Sequence, residues 1–165
     1  MTEFRFDTYC GLYCGACDIL QAYKKGIETG TSPQWRDLPL EIQNHPVIPK
    51  NSEIKCHGCK TGTIFAGCSK CIIRKCAINK TGVETCLDCG NYPCWRLKLT
   101  AIFKKLLKLE TRLPHLKDIA PNLEIIRNNG MEFWLEEQNR KWQCPNCGKR
   151  LSWYQASCPE CRGEH

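Results

Sequence analysis

The sequence predicts a mainly α-helical protein with irregular, metal-stabilised loops and a small β ribbon at its C-terminus. Three observations support this fold class. Apolar residues recur at helical intervals in the segments after residue 95, fifteen of the 165 residues are cysteine, and two Cys-x-x-Cys pairs close the chain. Such a cysteine content is typical of either a disulfide scaffold or a metal protein.

We expect the cysteines to bind metal rather than to form disulfides. The N-terminal segment MTEFRFDTYC has two acidic residues and no apolar stretch of the kind found in a secretory signal. No apolar run approaches the roughly 18–20 residues of a membrane span. We therefore expect a cytoplasmic protein with no membrane partner, whose thiols stay reduced and free to bind metal.

The formal charge of +7 overstates the affinity expected for nucleic acid. Four thiolates around one zinc ion carry a net charge of about −2, so metal sites offset part of the basicity. Residues 55–105 contain ten lysines and arginines against Glu84 and Asp88, and a modest basic patch remains after this correction. Protein and nucleic acid are both candidate partners.

The N-terminal half is predicted to contain little regular structure. The spacing of Ile19, Leu20 and Tyr23 predicts a short helix over 18–26 that ends at Gly26, and a second short helix is expected around residues 35–43. Residues 55–94 contain eight cysteines and few periodic apolar residues. This segment is expected to fold around metal, because metal binding supplies free energy that a core would otherwise provide.

Three helices are predicted after residue 94: one over 95–110, one that ends at Gly130, and one over 131–142. The first should bury one apolar face, formed by Trp95, Leu99, Ile102, Phe103, Leu106 and Leu109. Trp134 and Trp142 are expected in the core. A second hypothesis makes these two tryptophans anchors of an interface with a partner protein.

The C-terminal segment carries the most specific metal motif. Cys144 and Cys147 form one Cys-x-x-Cys pair, Cys158 and Cys161 form another, and ten residues separate the pairs. Two such turns complete a tetrahedron around zinc at about 2.3 Å per bond, with residues 152–154 as a strand between them. Residues 141–163 resemble the zinc-ribbon or rubredoxin-like family, which implies a structural zinc; the same ligands also accept iron.

The other eleven cysteines can be divided in several ways. One division assigns four to a first metal and four to a second: Cys56, Cys59, Cys68 and Cys71, then Cys76, Cys86, Cys89 and Cys94. It leaves Cys10, Cys14 and Cys17, whose fourth ligand would be His57, His45, Asp18 or a small molecule. Interleaved pairings satisfy the same count and remain open. We expect about two to four zinc ions per chain.

The spacing of Cys10, Cys14 and Cys17 is also that of radical-SAM enzymes, which hold three irons of a four-iron cluster. Ala16 replaces the aromatic residue usual before the third cysteine, and the chain lacks the βα repeats of those enzymes. A ferredoxin-like cluster fits better, since CSKCIIRKC (68–76) and NYPC (91–94) are compatible with iron–sulfur ligation. No P-loop, HExxH motif or nucleophile elbow is present, so the sequence favours a non-catalytic protein.

Three motifs resemble the prokaryotic family known as domain of unknown function 3795: YCGLYCGACDIL (9–20), CHGCKTGTIFAGCSKCIIRKCA (56–77) and GVETCLDCGNYPCWRL (82–97). The resemblance covers about residues 8–98. It implies a bacterial or archaeal cytosolic protein that binds zinc or an iron–sulfur cluster, and it implies no reaction.

These observations predict three segments: a cysteine-rich metal-binding domain (1–98), a helical segment (99–140) and a zinc ribbon (141–165). The leading hypothesis is a non-catalytic zinc-binding module that binds protein or nucleic acid. The alternative is an iron–sulfur enzyme, redox or radical-type, with its cluster on Cys10, Cys14 and Cys17.

Overall fold

The computed structural model is rich in helix and describes residues 3–44, 48, 52–106, 108–155 and 157–163. Its α-helices are α1 (Asp18–Thr29), α2 (Leu40–Gln43), α3 (Ala66–Ser69), α4 (Ile72–Ala77), α5 (Trp95–Leu106), α6 (Leu109–Arg112), α7 (Ile119–Asn129) and α8 (Met131–Lys141). Short 3-10 helices span Cys14–Ala16, Trp35–Asp37, Cys86–Asp88 and Pro114–Asp118. The predicted mainly helical class is confirmed.

His45, one of the candidate ligands, lies outside the described residues. Among the helices that the structure describes, none combines the length and the hydropathy required to cross a membrane.

Helix α1 is longer than predicted. It runs to Thr29 and ends at Gly30, whose left-handed φ of 67° gives the usual glycine stop. Gly26, the predicted stop, is buried inside the helix, and a Cβ there would lie 2.5 Å from the Thr31 carbonyl oxygen. Gly26 therefore permits a close approach of the returning chain, a role that helical periodicity does not reveal.

A first hydrophobic cluster lies around α1 and the following loop. Its buried members are Ile19, Leu20, Leu38, Ile42, Ile54, Cys56 and Phe65. Trp35 packs against this cluster, and its Nε1 donates a hydrogen bond to the Ser52 carbonyl at 2.8 Å. The predicted helix around residues 35–43 is present as a 3-10 turn followed by α2.

The second cluster is built on α7 and α8, which are joined at Gly130 with a φ of 90°. Trp134 is fully buried and Trp142 is 8% exposed, so both tryptophans are core residues and the hypothesis that they anchor an interface is wrong. Trp142 Nε1 donates to Gln138 Oε1 at 3.2 Å. The Asn122 amide donates to the Gly11 carbonyl at 2.8 Å, which ties α7 to the N-terminal region.

Helix α5 does not bury the face that its sequence pattern predicts. Trp95 and Ile102 are each 61% exposed, Phe103 is 46% exposed and Leu106 is 72% exposed. The periodicity correctly indicates an amphipathic helix. This face is therefore largely exposed among the described residues, and Leu97 lines the cysteine-rich cavity instead.

The C-terminal segment packs into this second cluster. Tyr13, Ile126 and Leu151, one from each predicted segment, are buried together in it. The Trp153 N–H donates to the Ala16 carbonyl at 3.1 Å. The expected strand at 152–154 is wrong, because Ser152 continues into a turn at 153–154 that docks on the N-terminal region. Among the described residues of this segment, β structure is limited to isolated bridges such as Gln143 with Arg150. The three-segment division stays a prediction.

Candidate metal centres

The four C-terminal cysteines converge in space. The sulfurs of Cys144, Cys147, Cys158 and Cys161 all lie within 4.8 Å of one another. Two of the Sγ–Sγ distances, Cys144–Cys161 and Cys147–Cys158, are 3.5 Å. A zinc ion with four bonds of about 2.3 Å in a tetrahedron separates its sulfurs by about 3.8 Å. The donor set and its spacing therefore fit a single tetrahedral metal ion.

The two Cys-x-x-Cys turns share the same backbone hydrogen bonds. In the first turn the Gly148 N–H donates to the Cys144 carbonyl at 2.8 Å, and in the second the Arg162 N–H donates to the Cys158 carbonyl at 2.9 Å. Both donor residues are left-handed, with φ of 71° at Gly148 and 57° at Arg162. Each turn thereby directs two sulfurs to one side of the chain.

The quartet has polar donors that favour thiolates. The Gly163 N–H, together with the Asn146 side chain, lowers the pKa of Cys161 to about 6. The Lys149 N–H also favours the Cys147 thiolate, but hydrogen bonds among the thiols, first with Cys158, raise the pKa of Cys147 to about 12. Cys161 therefore loses its proton at a lower pH than Cys147, and a bound cation favours the thiolate form of its ligands.

The C-terminal quartet is half embedded in the protein. Cys144 and Cys158 are 3% and 1% exposed and belong to the second hydrophobic cluster, whereas Cys147 is exposed. Gln21 on α1 donates from its Nε2 to the Leu151 carbonyl at 2.9 Å. A metal ion here would be held between the surface and the core that joins the two ends of the chain.

The N-terminal cysteines form a wider group. Cys56 is a member of the first hydrophobic cluster, and Cys14 and Cys17 pack against it. Burial raises the pKa of Cys68, and the nearby thiols of Cys17, Cys56, Cys71 and Cys10 raise it further. The structure therefore brings the trio of Cys10, Cys14 and Cys17 together with the cysteines of residues 56–71.

Backbone N–H groups point at these sulfurs from distant parts of the chain. Burial holds the pKa of Cys14 well above the ordinary thiol value, and a hydrogen bond from the Cys59 N–H partly offsets this effect. The Tyr9 N–H acts in the same way on Cys59, whose pKa burial raises to about 12. Such N–H groups are common neighbours of metal-bound thiolates.

The remaining quartet lines a separate cavity beside α5. Cys76, Cys86, Cys89 and Cys94 all line it, together with Lys80. Lys80 Nζ donates to Cys89 Sγ at 2.9 Å and lowers the pKa of that thiol. This quartet adjoins the first group, because the Cys86 N–H donates to the Tyr9 carbonyl at 2.7 Å.

The N-terminal thiols differ from the C-terminal quartet in spacing. Among the residues that the structure describes, only the C-terminal four bring three or more cysteine, histidine or carboxylate ligand atoms within 4.8 Å of one another. The N-terminal sulfurs are thus gathered, but more loosely than one zinc ion requires.

Two candidate fourth ligands can be placed. The ring of His57 is buried, with its centroid 4.9 Å from that of Phe4 and 5.3 Å from that of Tyr23. Its Nε2 has no hydrogen-bond partner among the described residues. Asp18 is also buried, which raises its pKa to about 6. Their roles as ligands stay predictions.

Sequence reasoning missed the charged residues around the N-terminal thiols. The Lys60 side chain is only 2% exposed and forms ion pairs with Asp7 and Glu84, while Arg5 also bonds to Asp7 at 3.0 Å. Residues 5–7, Lys60 and Glu84 come from three distant parts of the chain, and no local motif marks them. Burial alone would raise the pKa of Asp7, but Lys60 and Arg5 hold it below its ordinary value of 3.8.

A comparison with protein families agrees with the three N-terminal motifs. The family model described as "Protein of unknown function (DUF3795)" matches residues 6–99. This range contains all eleven N-terminal cysteines and excludes the C-terminal quartet. No curated protein and no solved structure matches the chain. Because the family model covers more than half of the sequence, the chain belongs to the DUF3795 family of proteins of unknown function.

Proposed function

We propose that this protein is a non-catalytic, metal-stabilised binding module, with one zinc ion held by Cys144, Cys147, Cys158 and Cys161. The convergence of these four sulfurs within 4.8 Å carries the proposal. Four protein thiolates leave zinc no open position for water or substrate, so the site is structural. Zinc binding would also stabilise the contacts between the C-terminal segment and the N-terminal region.

The surface proposed for binding is the exposed face of α5. Trp95, Ile102, Phe103 and Leu106 expose large apolar side chains, and exposed apolar patches of this kind mark interaction sites. From Trp95 to Leu106 the helix contains four lysines and arginines and no acidic residue. Exposed apolar side chains flanked by basic ones fit a partner protein that has an apolar groove with an acidic rim.

A protein partner is favoured over nucleic acid because the exposed centre of this face is apolar. Nucleic-acid affinity depends on phosphate contacts, and it falls steeply with salt. Apolar burial against a groove is much less sensitive to salt. We propose a cytoplasmic location because unpaired thiols at this density require a reducing compartment.

The test compares the wild-type protein with Phe103→Glu, using Phe133→Glu on α8 as a matched control. Phe103 and Phe133 are equally exposed, at 46% each. Proteins captured by the wild type in its native host would be identified, purified and titrated against all three chains. A partner that binds the wild type and the control alike, but binds Phe103→Glu at least about tenfold more weakly, supports the proposal.

Two results would refute this surface. In one, the purified partner binds Phe103→Glu as tightly as it binds the wild type. In the other, the protein binds nucleic acid through α5, with a steep salt dependence and no protein competitor.

The second candidate function is an iron–sulfur enzyme that uses Cys10, Cys14 and Cys17. Cys10 is buried, and Cys14 and Cys17 are partly buried beside other cysteines, which is compatible with a cluster. The thiols of Cys59 and Cys68 add to the effect of burial on the pKa of Cys14, so they lie near it. A cluster that took either of them as its fourth ligand would have no open iron for a substrate. The enzyme would be favoured over the binding module if the wild type shows both an absorption band near 400 nm and a measurable turnover, and if Cys14→Ala abolishes both.

A further inference from the structure

The cavity beside α5 has the composition of a polynuclear metal site. Four thiols line it, and most of its other walls are apolar, formed by Ile73, Ala77, Val83 and Leu97. Apolar walls around thiolate ligands limit the access of solvent and tune a bound metal centre. The four cysteines come from α4, a 3-10 turn and the residues just before α5. Three of the four lie within residues 82–97, and α4 supplies Cys76.

The separation of the thiols distinguishes this site from the C-terminal one. No three sulfurs of Cys76, Cys86, Cys89 and Cys94 lie within 4.8 Å of one another, although all four face one cavity. A single zinc ion would draw them to about 3.8 Å. In a four-iron cluster each of the four cysteines binds a different iron, so the cysteine sulfurs stand farther apart.

The charges around the cavity fit such a cluster. A four-iron cluster in its oxidised state, with a core charge of about +2, keeps a net charge of about −2 with four thiolates. Lys80 and Arg96 both line the cavity. Lys80 Nζ already donates to Cys89 Sγ at 2.9 Å, a charge-assisted contact that favours added negative charge on the site.

We propose that Cys76, Cys86, Cys89 and Cys94 bind a four-iron iron–sulfur cluster, and that Lys80 tunes its reduction potential through Cys89. This inference goes beyond the proposed function, because it adds a second, redox-active metal centre to a protein whose C-terminal zinc is structural. The two proposals use different ligands and can fail separately.

The first experiment counts metals in the full-length chain. Protein purified without oxygen would be reconstituted with ferrous iron and sulfide, and its iron, sulfide and zinc would be measured. Cys86→Ala/Cys89→Ala should lose about four irons and four sulfides per chain but keep its C-terminal zinc. The control Cys147→Ala should keep the iron and lose zinc.

Two outcomes of this count overturn the cluster. One is an iron content that is the same in Cys86→Ala/Cys89→Ala and in the wild type. The other is a wild-type protein that takes up zinc and no iron at this quartet, so that the double variant loses zinc.

The second experiment does not depend on whether a cysteine variant folds. Lys80→Met should keep the cluster and shift its reduction potential to a more negative value, because reduction adds negative charge beside Cys89. Lys75→Met removes an exposed lysine on α4 and should leave the potential unchanged. A potential that does not move in Lys80→Met, in protein that carries the cluster, overturns its placement in this cavity.

Discussion

The two Cys-x-x-Cys turns offer an internal comparison, because equivalent positions hold different residues. Gly148 and Arg162 both follow the second cysteine of a turn and both adopt left-handed φ, at 71° and 57°. Glycine adopts this conformation without steric strain, whereas a residue with a Cβ is strained in it. We predict that Arg162→Gly strengthens zinc binding and that Gly148→Ala weakens it.

The size of the effect follows from the backbone. The left-handed conformation costs an L-residue about 1–2 kcal/mol. Replacing the L-residue by glycine removes this cost, but glycine loses more conformational freedom on folding, which takes back about 0.5–1 kcal/mol of the stabilisation. The net change is about 0.5–1 kcal/mol, which corresponds to an increase of about two- to fivefold in zinc affinity for Arg162→Gly and a similar decrease for Gly148→Ala.

The assay is competition for zinc against a chromophoric chelator, with the full-length protein. Arg162→Ala serves as the control, since it removes the charge but keeps the Cβ, and its affinity should stay close to that of the wild type. Space does not confound Gly148→Ala, because a Cβ there meets no other atom within 4 Å. If Arg162→Gly and Arg162→Ala change the affinity equally, charge rather than backbone strain decides it, and the reasoning is refuted.

Three further predictions concern stability. Trp134→Ala should lower the free energy of unfolding by about 3–5 kcal/mol in urea denaturation, because the ring is fully buried; a change below about 1 kcal/mol would contradict its place in the core. Asp7→Asn should cost about 1–3 kcal/mol by the same assay, since it removes the buried one of the two carboxylates paired with the Lys60 ammonium and leaves only the exposed Glu84, and Asp7→Asn/Lys60→Met should recover part of this loss. Phe103→Glu should change the unfolding free energy by no more than about 0.5 kcal/mol, because the ring is exposed; a larger loss would show that α5 is packed in the monomer.

The C-terminal quartet could be predicted because its geometry is local. Each Cys-x-x-Cys turn fixes two sulfurs through hydrogen bonds within a few residues, and a short connection brings the turns together. The strand expected at 152–154 could not be judged in this way. The path of residues 151–154 depends on hydrogen bonds with Ala16 and Gln21, which are more than 100 residues away in the chain.

Helices α7 and α8 were predictable for a similar reason. The periodicity before Gly130 and the spacing after it match the observed helices closely. The same pattern in α5 identified the helix but not its environment, since periodicity tells which residues share a face and not what covers that face. The exposure of Phe103 is therefore visible only in the structure.

The division of the N-terminal cysteines depended on long-range pairing. One division by sequence spacing left the trio at residues 10–17 without a fourth cysteine, while the fold places the trio near the cysteines of residues 56–71. Gly58 shows how tight this pairing is: a Cβ at this glycine would overlap the Arg5 carbonyl. In the sequence this contact is visible only as a glycine, and nothing in the neighbouring residues indicates which distant segment approaches it.

The central claim, that the C-terminal quartet holds one structural zinc ion, is tested most directly by native mass spectrometry. The wild type, Cys147→Ser and the control Ser157→Ala would be purified from cells supplied with both iron and zinc. We predict that Cys147→Ser carries one zinc ion fewer than the other two proteins, with the remaining metal unchanged. An identical zinc content in all three proteins would contradict the claim.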